Sequence, residues 1–169
     1  MQQVIGRITF LFALVATIQS CGVYSFTGAS ISSDIKTVSI ADFPNQAANG
    51  SAGISQSFTE ALKDRFVSQT NLDLVKHDAD IEFTGYISGY DITSKAPTGQ
   101  QTTALNRLTI RVSVDFYNNK KKEDGWSQNF SRFADYESDQ NLSSIEDELI
   151  EEINDQLVDD IFNKALVNW

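Results

Sequence analysis

The sequence predicts an α+β fold, a two-layer sandwich with two helices packed on one face of a mixed four- to five-stranded sheet. Three observations carry this. Arg107 to Phe116 alternate polar and apolar over five repeats, Ile54 to Phe66 and Ile145 to Ile161 recur at helical spacing, and the segments run strand, helix, three or four strands, helix. A sheet with one apolar face needs one covering layer, so both helices belong on the same side.

Each element has its own signal. Lys36 to Phe43 sets Val38 and Ile40 on one face, a short strand closed by Pro44. Asn45 to Gly53 is a loop of polar and small residues, and Ile54, Phe58, Ala61, Leu62 and Phe66 then mark an amphipathic helix over about Ser55 to Gln69. Leu72 to Lys76 reads as a brief strand. Ile81, Phe83, Gly85 and Ile87 alternate with Glu82, Thr84, Tyr86 and Ser88 in a longer one. Leu108, Ile110, Val112, Val114 and Phe116 give the clearest strand, and Trp126 to Tyr136 follows it across the charged turn Asn118 to Gly125 as a hairpin. Ser143 with Glu146 forms a capping-box pattern. It opens a helix to about Leu166, with Ile145, Leu149, Ile153, Leu157 and Ile161 at four-residue spacing.

The first twenty residues are set apart. Arg7 precedes an apolar run from Ile8 to Ile18, about half the ~20 residues a membrane-spanning helix needs and the right length for a signal peptide. The run ends at Ile18-Gln19-Ser20-Cys21, which resembles a bacterial lipobox. Residues 1–20 are therefore expected to be a lipoprotein signal peptide, 21–33 a lipidated tether and 34–169 the folded domain. The competing reading is an ordinary signal peptide with a chance cysteine. Two or three acyl chains on Cys21 would make a stable anchor, each buried methylene contributing about 0.8 kcal/mol.

Composition narrows the chemistry. With 13 basic against 23 acidic side chains the chain carries −10, which argues against nucleic-acid binding. One cysteine and one histidine exclude an intrachain disulfide and any Cys- or His-rich metal centre. His77-Asp78 beside Asp80 has no nucleophile placed near it by a recognised motif and reads as a solvated turn. Glu146-Asp147-Glu148 with Glu151-Glu152 fans around a helix and lacks a calcium-loop glycine, so it reads as a solvated face. Lys120 to Lys122 is answered at once by Glu123 and Asp124 in a hairpin tip. No enzyme, cofactor or metal is expected.

Two surfaces remain. The face of the sheet away from the helices is expected to display Tyr86, Tyr90, Arg107, Thr109 and Arg111, a combination suited to a partner protein or an anionic group, the alternative being an ordinary solvated sheet face. At the chain end, Phe162 and Leu166 fall on the otherwise acidic side of the last helix, and Trp169 follows. They could meet a partner or fold back onto their own sheet.

The stretch Cys21-Gly22-Val23-Tyr24-Ser25-Phe26-Thr27-Gly28 resembles the start of mature LptE-type lipoproteins. Ala79-Asp80-Ile81-Glu82-Phe83-Thr84-Gly85-Tyr86-Ile87 is similar to that family's strand with a leading Ala-Asp pair and a mid-strand glycine. The resemblance implies an outer-membrane lipoprotein held by Cys21. Its domain would face the periplasm or sit in the lumen of an LptD-type β-barrel, assisting barrel assembly and lipopolysaccharide insertion into the outer leaflet. Direct lipopolysaccharide binding is possible on the same basis, but the acidic balance favours the barrel-partner role. The alternative is a lipid-anchored envelope protein of the same fold that serves another complex or binds a small amphiphile.

Overall fold

The computed structural model of the chain describes residues 31–96 and 104–166. Its elements are β1 (Thr37–Ile40), α1 (Ile54–Gln69), β2 (Asp73–Leu74), β3 (Ile81–Lys95), β4 (Leu105–Asn118), β5 (Trp126–Glu137) and α2 (Leu142–Leu166). The strands form one sheet in the order β2-β1-β3-β4-β5. β1 runs parallel to both β2 and β3, while β3, β4 and β5 form an antiparallel meander. The sheet is therefore mixed and five-stranded, and the α+β class read from the sequence is the class observed.

Alternation on β4 decides where the core sits. Leu108, Ile110, Val112 and Val114 are fully buried, and across them lie Ile81, Phe83 and Ile87 of β3, also fully buried. Both helices close this face, α1 with Ile54, Phe58, Leu62 and Phe66 and α2 with Ile153, Leu157 and Ile161. The helices lie side by side and run the same way, since Ser57 meets Asn154 and Phe66 meets Phe162. Aromatic rings thread the layers. Phe162 contacts Phe66, Phe66 contacts Phe83, Phe83 contacts Phe116 and Phe116 stacks on Trp126, with centroids 4.8–5.4 Å apart.

Beyond Ile40 the chain keeps following β3 without forming regular strand. The Ala41 N–H donates to the Phe83 carbonyl and the Ile87 N–H to the Pro44 carbonyl. This drapes Phe43 over Gly85, where an added Cβ would lie 2.5 Å from the Phe43 ring and closer still to the Ser113 carbonyl oxygen. Thr59 of α1 fastens the same segment, its hydroxyl accepting from the Phe43 N–H at 3.1 Å and donating to the Ser55 carbonyl at 2.7 Å. Asp80 fastens the other end of β1. Its carboxylate accepts from the Lys36 and Thr37 N–H groups at 2.7 and 3.1 Å and from Lys120 at 2.8 Å. These donors, Lys120 foremost, hold the Asp80 pKa down to about 2.

Two sequence expectations are corrected, and a third, left open between two readings, is decided. The start of α2 is capped by Asn141, whose Oδ1 accepts from the Ser143 N–H at 3.1 Å, while Glu146 turns inward to accept from Tyr90 at 2.6 Å. The Ser143–Glu146 pair is thus no capping box, because the helix begins two residues sooner than that pattern requires. Tyr90 is the second correction. A bulge between Ile87 and Gly89 inserts one residue into β3, and the phase reverses beyond it. Tyr90 therefore faces the helices and is 5% exposed. Third, Phe162 and Leu166 are 8% and 0% exposed. The side of α2 that carries them lies against α1, so the domain's own core takes them. Trp169 lies outside the described residues.

Candidate functional site

The open face of the meander carries Tyr86, Arg107, Thr109 and Arg111 of the five residues expected there. Arg107 and Arg111 lie two turns of the pleat apart on β4, and both point away from the core because the alternation around them is unbroken. Arg107 sits opposite Asp135 of β5 in register and makes a forked pair with it, Nε and Nη2 donating at 2.6 and 2.7 Å. The same guanidinium lies 3.3 Å from the centroid of the Phe133 ring. Asp135 is held below the usual carboxylate range by this pairing, and the Arg107 pKa is raised by it.

Arg111 is placed by the bulge. Gly89 lies opposite it, and a Cβ there would meet the guanidinium at 2.6–2.7 Å, so the side chain rests flat across the glycine. From there it donates to Asp91 at 2.5 Å. Tyr86, one residue before Ile87, remains on this face at 36% exposure, as expected. Two rings missed by the sequence reading join it. Tyr117 is 50% and Phe133 44% exposed, ordinary members of alternating strands on the face that neither α1 nor α2 covers. Phe133 carries a signal in hindsight, since it is out of phase with Phe130 and Ala134.

The chemistry of this face follows from the pairing. Each arginine already has its own aspartate, so the surface is a neutral mosaic of guanidinium–carboxylate pairs and exposed rings. An anionic ligand would have to displace or share those donors. A protein surface can instead use the rings as apolar anchors and the ion pairs as fixed polar contacts, which suits the aromatic and arginine enrichment of protein interfaces. Tyr90, by contrast, belongs to the interior. Burial and the Glu146 contact push its hydroxyl well above the usual tyrosine range, so it stays a neutral donor.

The residues set aside as catalytic candidates separate in the structure. His77 pairs with Asp78 at 2.9 Å, and both side chains are almost fully exposed on the turn before β3. Asp78 there has φ 57°, a turn conformation that short polar side chains adopt readily. Lys121 pairs with Asp124 and Lys120 with Asp80. Among the described residues no group of three or more His, Cys, Asp or Glu side chains could hold a metal ion, and no helix is long and apolar enough to cross a membrane.

The lipopolysaccharide-assembly family LptE matches residues 35–165, which run from before β1 almost to the end of α2. The chain belongs to this family. Its membership ties the chain to lipopolysaccharide assembly. No curated protein matches the sequence. Among solved structures the chain is similar to a minor lipoprotein from Acinetobacter baumannii, with a TM-score of 0.54 and 12% identity over 80% of this chain and 95% of that one. It is also similar to the rare lipoprotein B from Shewanella oneidensis, with a TM-score of 0.51 and 14% identity over 76% and 92% of the two chains. At these identities the likeness shows a shared fold. This LptE-family chain thus has a two-layer architecture that recurs in proteins named as lipoproteins.

Proposed function

We propose that this LptE-family chain is an outer-membrane lipoprotein, anchored through Cys21, whose open sheet face docks on an LptD-type β-barrel. There it assists barrel assembly and the insertion of lipopolysaccharide into the outer leaflet, as a non-enzymatic subunit. The observation that carries the docking role is the exposed set Tyr86, Tyr117 and Phe133 interleaved with the paired Arg107 and Arg111. Rings of this size left on a sheet face give a partner a large contact area at small entropic cost. The pairing of both arginines favours a protein partner over lipopolysaccharide itself.

The test is a pull-down of the full chain from detergent-solubilised membranes, read by mass spectrometry. A stoichiometric β-barrel is expected, and the double variant Arg107→Ala, Arg111→Ala should recover less of it. Recovery of a different envelope complex in stoichiometric amount would overturn the barrel assignment. Intact mass should show a chain beginning at Cys21 with two or three acyl groups; a soluble chain with a free thiol would overturn the anchor.

A further inference from the structure

The two edges of the sheet are finished differently. β2 closes one edge with only two residues, Asp73 and Leu74. β5 closes the other with 12, Trp126–Glu137, and pairs with β4 residue for residue without a bulge. It contains neither proline nor lysine, two residues that ordinarily blunt an edge strand. The hydrogen-bond phase shows which backbone groups are left over. The Ser138 N–H donates to the Ala104 carbonyl, so the even-numbered residues of β5 bond to β4. Ser127, Asn129, Ser131, Phe133 and Asp135 therefore turn their N–H and C=O groups outward, and all five are exposed. Among the described residues no hydrogen bond takes up these groups.

The same edge is where this acidic chain can approach a copy of itself. Of 23 acidic side chains β5 carries only Asp135 and Glu137, and Asp135 is held by Arg107. The one basic residue of the strand, Arg132, is held by Asp160 at 2.6 Å. We infer that β5 pairs antiparallel with β5 of a second copy about a two-fold axis at Phe133, joining two five-stranded sheets into one. In that register the exposed Phe133 ring meets the second copy's Phe133 on the open face, Ser131 faces Asp135 and Asn129 faces Glu137. On the helix side Phe130 faces Tyr136, and the long Arg132 faces the small Ala134. Aromatic meets aromatic and no like charges stand directly opposite, the pairings that stabilise antiparallel strands. Moving the axis by one residue, to Arg132, would set two guanidinium groups face to face. The two-fold uses the edge of both copies, so the association closes at a dimer.

Cysteine crosslinking of the full chain in membranes tests the register, with the wild-type chain as the control for Cys21. At the axis the two Phe133 Cα atoms would lie about 5.5 Å apart, within reach of a disulfide. Phe133→Cys should therefore give a covalent dimer on oxidation. The two copies of Ser131 would lie roughly 14 Å apart, so Ser131→Cys should give none beyond the control. Sedimentation of the full chain in detergent tests the edge itself. Ser131→Pro removes an outward N–H inside the paired stretch and should weaken the dimer about tenfold or more. Ser127→Pro removes one outside that stretch and should leave affinity within about twofold. Neither substitution takes a hydrogen bond from β4, and the cysteine variants read the same interface without a proline. A monomer at every concentration, equal weakening by both prolines, or crosslinking at Ser131→Cys as strong as at Phe133→Cys would overturn the proposal. So would a Phe133→Cys crosslink to a different polypeptide, which would give the edge to that partner.

Discussion

The two faces of the meander are made from the same three strands, yet they are held by different physics. On the inner face Leu108, Ile110, Val112 and Val114 have lost all contact with water, and two helices complete the enclosure. On the outer face their immediate neighbours Arg107, Thr109, Arg111, Ser113 and Asp115 stay at the surface, in ion pairs or beside exposed rings. Burial stabilises the inner face by roughly 1.5–3 kcal/mol for each large apolar side chain. Exposed ion pairs contribute about 0–1 kcal/mol each. The inner face therefore holds the fold together, and the outer one can be given over to recognition at little expense in stability.

The sharpest break of this contrast comes from the aromatic thread. Phe66→Ala should cost about 3–5 kcal/mol, because the ring is fully buried and touches both Phe83 and Phe162. Phe162→Ala should approach the same loss, measured by urea unfolding of the isolated chain. A small change there would mean that Phe162 is not part of the core. Next comes Gly85→Ala, which forces a methyl into the Phe43 ring and the β4 backbone and should cost about 1–3 kcal/mol. Its urea midpoint should fall with the slope unchanged.

Asp80→Ala, which frees the start of β1, should cost about 2 kcal/mol near neutral pH, as expected for lost hydrogen bonds to a charged acceptor. The sign of its pH dependence is set by the depressed pKa. The contribution of Asp80 is complete above its ordinary value of 3.8 and is lost as pH falls through about 2. The stability gap between wild type and Asp80→Ala should therefore be constant from pH 7 to about 4 and narrow below that. Smallest of all is the outer face, where Arg107→Ala with Arg111→Ala should shift stability by only about 1 kcal/mol. Their effect should appear in partner recovery instead, and a large loss of stability would mean that the open face is structural.

Most of the architecture was legible in the sequence because its signals are local and repeated. β4 declares its buried face five times over, and the four-residue row on α2 names the side that meets the sheet. Arg107 and Arg111 could be sent outward on the same grounds, since nothing interrupts the alternation between them. What the alternation could not reveal was a single inserted residue. The bulge before Gly89 reversed the face of Tyr90, and in doing so it put Asp91 where Arg111 could reach it. A phase change of this kind leaves no trace in composition or spacing, because each half of β3 alternates correctly by itself.

The end of α2 makes the same point for packing. A helical projection shows which residues share a side but not which neighbour lies against that side. The position of α1 assigned Phe162 and Leu166 to the core and made a groove out of the acidic row at Asp147, Glu151 and Asp155. The helix start was a third such case: Asn141 and Ser143 are both good caps, and the need of buried Tyr90 for an acceptor drew Glu146 away from the helix terminus. By itself the sequence determined the layers, the element order, the core face of each long element and the family, because hydrophobic periodicity and short motifs are properties of neighbours along the chain. Tertiary structure alone decided the bulge, the arginine–aspartate pairs, the fate of the last turn and the groove, because each depends on what a distant segment places within a few ångströms.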